Sequence, residues 1–273
     1  MLLDLDGAWD GLDLPRVDAR AWGPRLRFSA PVREAERFYR EVVSALPDFV
    51  LYGSGDFHHV SALLSRRVRE PVTLVSFDNH PDWDVRPPRW CCGGWVNRAL
   101  ENAQVKRVCV WGCGNFECWW LGQLFGNRRA ERAGVLEVHP WSDDKSRKQQ
   151  QRRGAITREN WREQFATFAR ALNGSAVYAT IDMDCLAPDL AWTNWENGKF
   201  TCDDLRWALR TLREHARITA GDICGAYSTP SYARRKQRFV SAMDHPKLKL
   251  PSADTITAVN RDAFEQLWPA LTQ

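Results

Sequence analysis

Residues 72–84 read VTLVSFDNHPDWD, an apolar run that ends in a cluster of acidic residues. The run is apolar at both odd and even positions, which predicts a strand covered on both faces of a sheet. Asp78, His80 and Asp82 follow at alternate positions, and an extended backbone points such side chains to one side. The stretch therefore predicts a buried strand that carries metal-binding residue types at its carboxyl end.

Six other apolar runs resemble this one, and amphipathic stretches lie between many of them. The predicted strands are LLDLD (2–6), FVLYG (49–53), VTLVSFD (72–78), RVCVWG (107–112), VLEV (135–138), AVYATID (176–182) and ITAGDIC (218–224). The predicted helices cover 32–46, 60–69, 95–103, 158–172 and 203–216, the last of them with Thr201 as N-cap. Strands that alternate with helices imply right-handed crossovers. We therefore predict an α/β fold, a three-layer α/β/α arrangement with a mainly parallel central sheet.

The composition is that of a globular protein, with 44% hydrophobic and 26% charged residues among 273. We expect a single domain over 1–273, in which 141–157 forms an excursion loop. The net charge of +4 is too small to indicate nucleic-acid binding, and the apolar runs are too short to span a membrane. The chain shows no secretory signal, so we expect a cytoplasmic protein whose eight cysteines are free thiols.

Polar residues of metal-binding type follow three of the predicted strands. They lie in 56–59, in 78–84 and at Asp182 and Asp184. In a parallel sheet these positions meet at one edge, where ligands bind. Carboxylates that are so crowded cannot all ionise without a counter-charge. Two divalent cations would supply that charge, and an oxygen-rich set with histidines favours manganese. The alternative is that these acids are solvated loop residues or helix caps.

Three stretches carry a resemblance to a known family. GSGDFHHVS (53–61), SFDNHPD (76–82) and TIDMDCLAPD (180–189) resemble the three metal motifs of the arginase/agmatinase (ureohydrolase) family, in the same order. The resemblance implies an arginase-like fold, two metal ions, a small-molecule substrate and a possible homo-oligomer. The metal ligands that it implies are His58, Asp78, His80, Asp82, Asp182 and Asp184. Because Phe57 looks like an insertion, His59 is the alternative first ligand.

The resemblance also implies a mechanism. A hydroxide between the two ions would attack a trigonal carbon that bears nitrogen, and Asp82 would stabilise the tetrahedral state. Urea and an amine are the expected products. Two features of the family are missing, namely a histidine within 86–100 and an acid at position 225, where this chain has glycine. We therefore expect a linear guanidino or amidino substrate other than arginine or agmatine.

Other residues are candidates to replace the two missing groups. His139 and His245 are candidate proton shuttles, and Glu196 or Glu117 is a candidate partner for a cationic substrate. Asp84 is a candidate to orient His80 through its second ring nitrogen.

Three other functions are consistent with parts of the sequence. The first is a mononuclear zinc amidohydrolase of deacetylase type, and the second is a metal-binding family member without catalytic activity. The third is a phosphotransferase in which Asp4, within MLLDLDGAWDG (1–11), would be the nucleophile.

Overall fold

A computed structural model describes residues 1–273, with the exception of the side chain of Trp120. Its centre is a parallel eight-stranded sheet with the order β2-β1-β4-β10-β9-β5-β7-β8. A short antiparallel pair, β3 with β6, lies outside this sheet. The strands are β1 (Leu2–Asp4), β2 (Arg16–Asp18), β3 (Ser29–Ala30), β4 (Phe49–Tyr52), β5 (Val72–Phe77), β6 (Trp90–Cys91), β7 (Val105–Cys113), β8 (Leu136–Pro140), β9 (Ala176–Asp182) and β10 (Arg217–Cys224).

Helices cover both faces of the sheet. They are α1 (Gly23–Leu26), α2 (Val32–Glu41), α3 (His59–Leu64), α4 (Trp95–Ala99), α5 (Arg128–Arg132), α6 (Arg147–Gln150), α7 (Trp161–Leu172), α8 (Cys202–His215), α9 (Arg235–Asp244) and α10 (Ala253–Thr272). Leu74 of β5 packs into a core shared with α2, α3 and α4, whereas its neighbour Val75 packs into a core shared with α7, α8 and α10. This alternation confirms the predicted three-layer α/β/α arrangement.

Each of the seven predicted strands is present, and local sequence explains several boundaries. Thr201 caps α8 as predicted: its hydroxyl accepts the Asp204 N–H at 3.1 Å, and the Asp204 carboxylate accepts the Thr201 N–H at 3.0 Å. The sequence does not predict strand β2, the β3–β6 pair or helices α1, α5, α6, α9 and α10. The 141–157 segment is an excursion loop that closes on itself, because Trp141 forms a bridge to Ile156 and both residues are buried.

The four central strands position the site. β4, β10, β9 and β5 are neighbours in the sheet, and their carboxyl ends lead into the three polar stretches. The prediction that these stretches meet at one edge is confirmed. Among the helices of the described residues, none has the length and apolar character that a membrane span requires.

Candidate metal centre

The first polar stretch leaves β4 through the 3₁₀ turn Gly55–Phe57 and places His58 just before α3. His58 is buried, and its Nδ1 lies 3.2 Å from Asp78 Oδ2 and 3.3 Å from both Asp82 Oδ2 and Asp182 Oδ2. Burial lowers the pKa of His58, but the adjacent carboxylates outweigh burial and raise the pKa well above its usual value. His58 therefore lies at the centre of a ring of three acids.

His59 is buried outside this ring. Neither of its ring nitrogens has a hydrogen-bond partner among the described atoms. Burial, followed by the charge of His58, lowers the pKa of His59 to about 3, so its ring is neutral at physiological pH. Phe57 is also fully buried, in the apolar core, so the extra residue is accommodated without moving His58 away from the acids.

The second polar stretch follows β5. Asp78 Oδ1 accepts the His80 N–H at 2.7 Å, which turns the chain back over the strand end. Asp82 adopts a left-handed backbone conformation with φ of 45°, which aspartate adopts more readily than most residues. The indole Nε1–H of Trp95 donates to Asp82 Oδ2 at 2.6 Å and fixes that carboxylate.

The third stretch brings Asp182 and Asp184 to the same place. His80 Nδ1 lies 2.8 Å from Asp184 Oδ2 and 3.7 Å from Asp78 Oδ1. Asp184 Oδ1 accepts the Asn79 N–H at 3.0 Å, and Asp182 Oδ1 accepts the Asp184 N–H at 3.1 Å. The six residues proposed as ligands thus converge from three segments that are far apart in the chain.

The donor atoms form three overlapping groups, each with its atoms within 4.8 Å of one another, and two of the three share Asp78. Of these two, one contains His58, Asp78 and Asp82, and the other contains Asp78, His80 and Asp184. Asp182 joins the first group through His58, and the Cys224 thiol lies 3.5 Å from Asp182 Oδ2. Asp78 belongs to both groups, so it is placed to bridge two ions.

The charge balance of these groups fits cations. His58 Nδ1 and Asp78 Oδ2 are buried atoms without a hydrogen-bond partner, and they face each other. Burial and then the neighbouring Asp184 and Asp78 charges raise the pKa of Asp182 well above its usual value. Buried carboxylates of this kind are costly unless they are paired or coordinate a metal. The alternative of solvated loop residues is wrong, because the four carboxylates and both imidazoles are buried.

A second layer of residues orients His58. Its Nε2 lies 3.1 Å from Thr180 Oγ1, and the Thr180 hydroxyl donates to Asp222 Oδ1 at 2.6 Å. Asp222 also accepts hydrogen bonds from the hydroxyls of Ser61 and Tyr178. With Thr180 acting as donor to Asp222, it accepts from His58 Nε2–H, so Nδ1 is the ring nitrogen that faces the carboxylates and would bind a cation. Sequence reasoning missed this set of hydrogen bonds, although Thr180 lies within the third motif and Asp222, its partner across the sheet, lies near the end of β10.

A cavity of about 500 Å³ opens above the two groups. Its described lining contains the acids Glu117, Glu196 and Asp244, and apolar residues from loops, a 3₁₀ turn and helix α9: Phe28, Pro87, Pro88, Phe116, Trp195, Val240 and Met243. Asp84 also lines the cavity, but it pairs with the guanidinium of Arg86, with Oδ2 2.9 Å from Nε. The expectation that Asp84 orients His80 is therefore wrong: Arg86, two residues along, competes for the carboxylate.

The two candidate proton shuttles do not present a nitrogen to this cavity. His139 is in β8 near the edge of the sheet, stacked on Trp111 with ring centroids 3.6 Å apart, and it is not among the described lining residues. Its expected position in the site is thus wrong, since its ring fills the core beside Trp111. His245 packs against Trp195 of the cavity wall without being among the described lining residues, and its nitrogens face Asp56 (2.7 Å) and Ser241 (2.9 Å).

The structure also bears on the missing acid at position 225 and on Asp4 as a candidate nucleophile. Gly225 has φ of +104°, and a Cβ there would lie 2.2 Å from Asp182 Oδ1. The glycine is required because the strand end passes against Asp182, one of the proposed ligands, so an acid cannot occupy this position. Asp4 is paired with Arg16 (3.0 Å) and Arg20 (2.7 Å), which disfavours the phosphotransferase function.

Several solved structures superpose on this fold. The proclavaminate amidino hydrolase of Streptomyces clavuligerus superposes with a TM-score of 0.55 at 17% identity, over 97% of this chain and 81% of that one. The formimidoylglutamase of Bacillus subtilis gives 0.52 at 15% identity, over 94% and 72%. The arginase of Medicago truncatula gives 0.52 at 19% identity, over 89% and 69%. The chain therefore has the arginase/agmatinase (ureohydrolase) fold.

Sequence comparison adds one relative. The chain is 26% identical over 189 residues to an uncharacterized protein of Thermotoga maritima. The matched region spans 68% of this chain and 62% of the length of that protein. No protein-family model matches the chain.

Proposed function

We propose that the protein is a dinuclear-metal hydrolase that cleaves a C–N bond of a linear guanidino or amidino compound. The observation that carries the proposal is the buried convergence of two imidazoles and four carboxylates, of which His58, Asp78, Asp82, His80 and Asp184 form two groups that share Asp78. The ureohydrolase fold supports the same reading. A single-ion amidohydrolase would leave one of the two groups without a cation, so the two-ion function is favoured.

The ligand assignment follows the two groups. One ion would be held by His58, Asp78 and Asp82, with Asp182 adjoining this group through His58, and the other ion by Asp78, His80 and Asp184. The oxygen-rich set favours manganese. When bound, such ions supply Lewis acidity and activate a water as nucleophile near neutral pH.

The chain's own residues would position the reactants. Asp82 is held by Trp95 at the cavity floor, so its carboxylate is placed to hydrogen-bond the tetrahedral species formed by attack on the substrate carbon. The cavity walls would exclude bulk water from the reacting carbon. Delivery of a proton to the leaving amine by His245 would require it to release Asp56 or Ser241.

The substrate is proposed to be neither arginine nor agmatine. The proposal rests on the glycine at position 225, where the family has an acid that binds guanidinium, and on the missing histidine within 86–100. A cytoplasmic location and assembly into a homo-oligomer remain predictions.

The test combines elemental analysis with a substrate screen. Purified protein loaded with manganese should contain two ions per chain and should release urea or ammonia from a guanidino, formimino or N-hydroxyguanidino compound. Asp78→Asn should lose the metal and the activity, whereas the matched control Asp4→Asn should keep both. One ion per chain would favour the zinc amidohydrolase instead, and bound manganese with no turnover of any compound would favour a non-catalytic role.

A further inference from the structure

The proposed reaction needs a group that receives the positive charge of the substrate, and the end of β10 does not supply one. Position 225 is closed to every side chain, because a Cβ there would also lie 2.5 Å from Met183 N. The counter-charge for an amidinium or guanidinium must therefore come from another wall of the cavity.

The cavity offers four acids that are not among the proposed ligands. Asp84 is neutralised by Arg86, which leaves Glu117, Glu196 and Asp244. Of these, Glu196 has its Oε2 3.6 Å from His80 Nε2, so it lies directly beside the proposed metal centre. His80 is itself buried, and its Nε2 has no hydrogen-bond partner among the described atoms.

The backbone of Glu196 is held firmly although its side chain is 57% exposed. Asn79, which lies between two proposed ligands, donates from Nδ2 to the Glu196 carbonyl at 2.7 Å. The preceding Trp195 packs edge-on against the His80 ring, with centroids 5.4 Å apart. The loop that carries Glu196 is thus tied to the metal-binding segment at two points, while the carboxylate itself can still reach a ligand.

We propose that Glu196 is the specificity-determining residue that binds the amidinium or guanidinium of the substrate. This inference rests on the proposed function and names the residue that takes the place of the acid excluded from position 225. A planar cation with paired N–H groups matches a carboxylate in a two-point hydrogen bond. A ligand seated over the two metal groups would cover Glu196 and exclude water from the pair, which strengthens the interaction.

The expected consequence is a selective loss of affinity for cationic ligands. Hydrogen bonds to a charged group contribute enough that Glu196→Gln should weaken binding of a guanidinium about 10- to 100-fold. The metal affinity should be unchanged, because Glu196 is not among the proposed ligands and makes no hydrogen bond to His80 Nε2. A residue that served only to orient His80 would instead alter metal binding when its charge is removed.

The experiment is calorimetric binding of methylguanidine, a guanidinium without other charged groups, to the manganese-loaded protein. Glu117→Gln is the matched control, since it makes the same side-chain change in the same cavity at a position farther from His80. We expect Glu196→Gln to weaken binding at least tenfold, Glu117→Gln to change it less than threefold, and all three proteins to hold equal metal. Equal weakening by both variants, or metal loss in Glu196→Gln, would overturn the proposal.

The result is separable from the fate of the proposed function. Binding is read without turnover, so a wild-type protein that binds methylguanidine selectively through Glu196 but hydrolyses no compound would refute the hydrolase and leave this assignment standing. If the wild-type protein releases urea or ammonia while Glu196→Gln binds methylguanidine normally, the Glu196 assignment is refuted and the proposed hydrolase function stands.

Discussion

Replacing His59 with leucine separates the roles of the two adjacent histidines. His59 is fully buried with both ring nitrogens unpaired, and its pKa is lowered to about 3, chiefly by burial. In the unfolded chain the pKa of histidine is about 6.5. Protonation therefore favours the unfolded state, so the stability that depends on neutral His59 is complete above about pH 6.5 and is lost as the pH falls.

The two pKa values set the size of the effect. Each unit of pKa difference corresponds to about 1.4 kcal/mol, so at about pH 5 the wild-type protein loses about 2 kcal/mol through His59. At about pH 7.5 the same group contributes almost nothing to the pH dependence. At the higher pH, the free energy of unfolding of His59→Leu should be within about 1 kcal/mol of the wild-type value. The reason is that leucine is similar in size to histidine and removes two buried polar atoms that have no hydrogen-bond partner. At the lower pH, the difference in free energy of unfolding between the variant and the wild type should shift by about 2 kcal/mol in favour of the variant, compared with the difference at the higher pH.

The assay is urea unfolding of the metal-free proteins, followed by tryptophan fluorescence at both pH values. Other acids also titrate, but they are common to both proteins, so the difference between variant and wild type isolates His59. A difference that stays constant between the two pH values would refute the reasoning. The matched variant His58→Leu should lose manganese, whereas His59→Leu should keep it, and the opposite pattern would make His59 the ligand.

Three further predictions concern the metal centre. Gly225→Ala should lower the free energy of unfolding, measured by denaturation, by about 2 kcal/mol, because the added Cβ displaces Asp182. The metal content, measured by elemental analysis, should also fall, and full metal content would contradict this. Thr180→Val should weaken metal affinity about 10- to 100-fold in chelator competition, while Thr180→Ser should not; equal affinities would contradict the orienting role. Manganese at about 1,000 times its dissociation constant should stabilise the metal-free protein by about 4 kcal/mol; an unchanged melting midpoint would exclude tight binding.

The parts of the fold that followed from sequence are those with a local signal. The central strands carry continuous apolar runs because both faces are covered, and Thr201 marks a helix start through its own hydroxyl. Strand β2 is exposed in part and only three residues long, so its pattern is too short to detect. Helix α10 has a weak amphipathic contrast and contains Pro269, which hid a twenty-residue helix.

Sequence alone determined the residue types of the metal centre and the order of its three motifs, because strand ends that carry acids and histidines can be read locally. It also left His58 and His59 as alternatives, and placed His139 and Asp84 in the site. Only the tertiary structure shows that His58 faces the three acids and His59 does not, since this depends on which side chains face one another across the sheet. Residues from other segments also determine that Trp111 covers His139 and that Asp182 leaves room at position 225 for glycine alone, whereas the pairing of Arg86 with Asp84 is local.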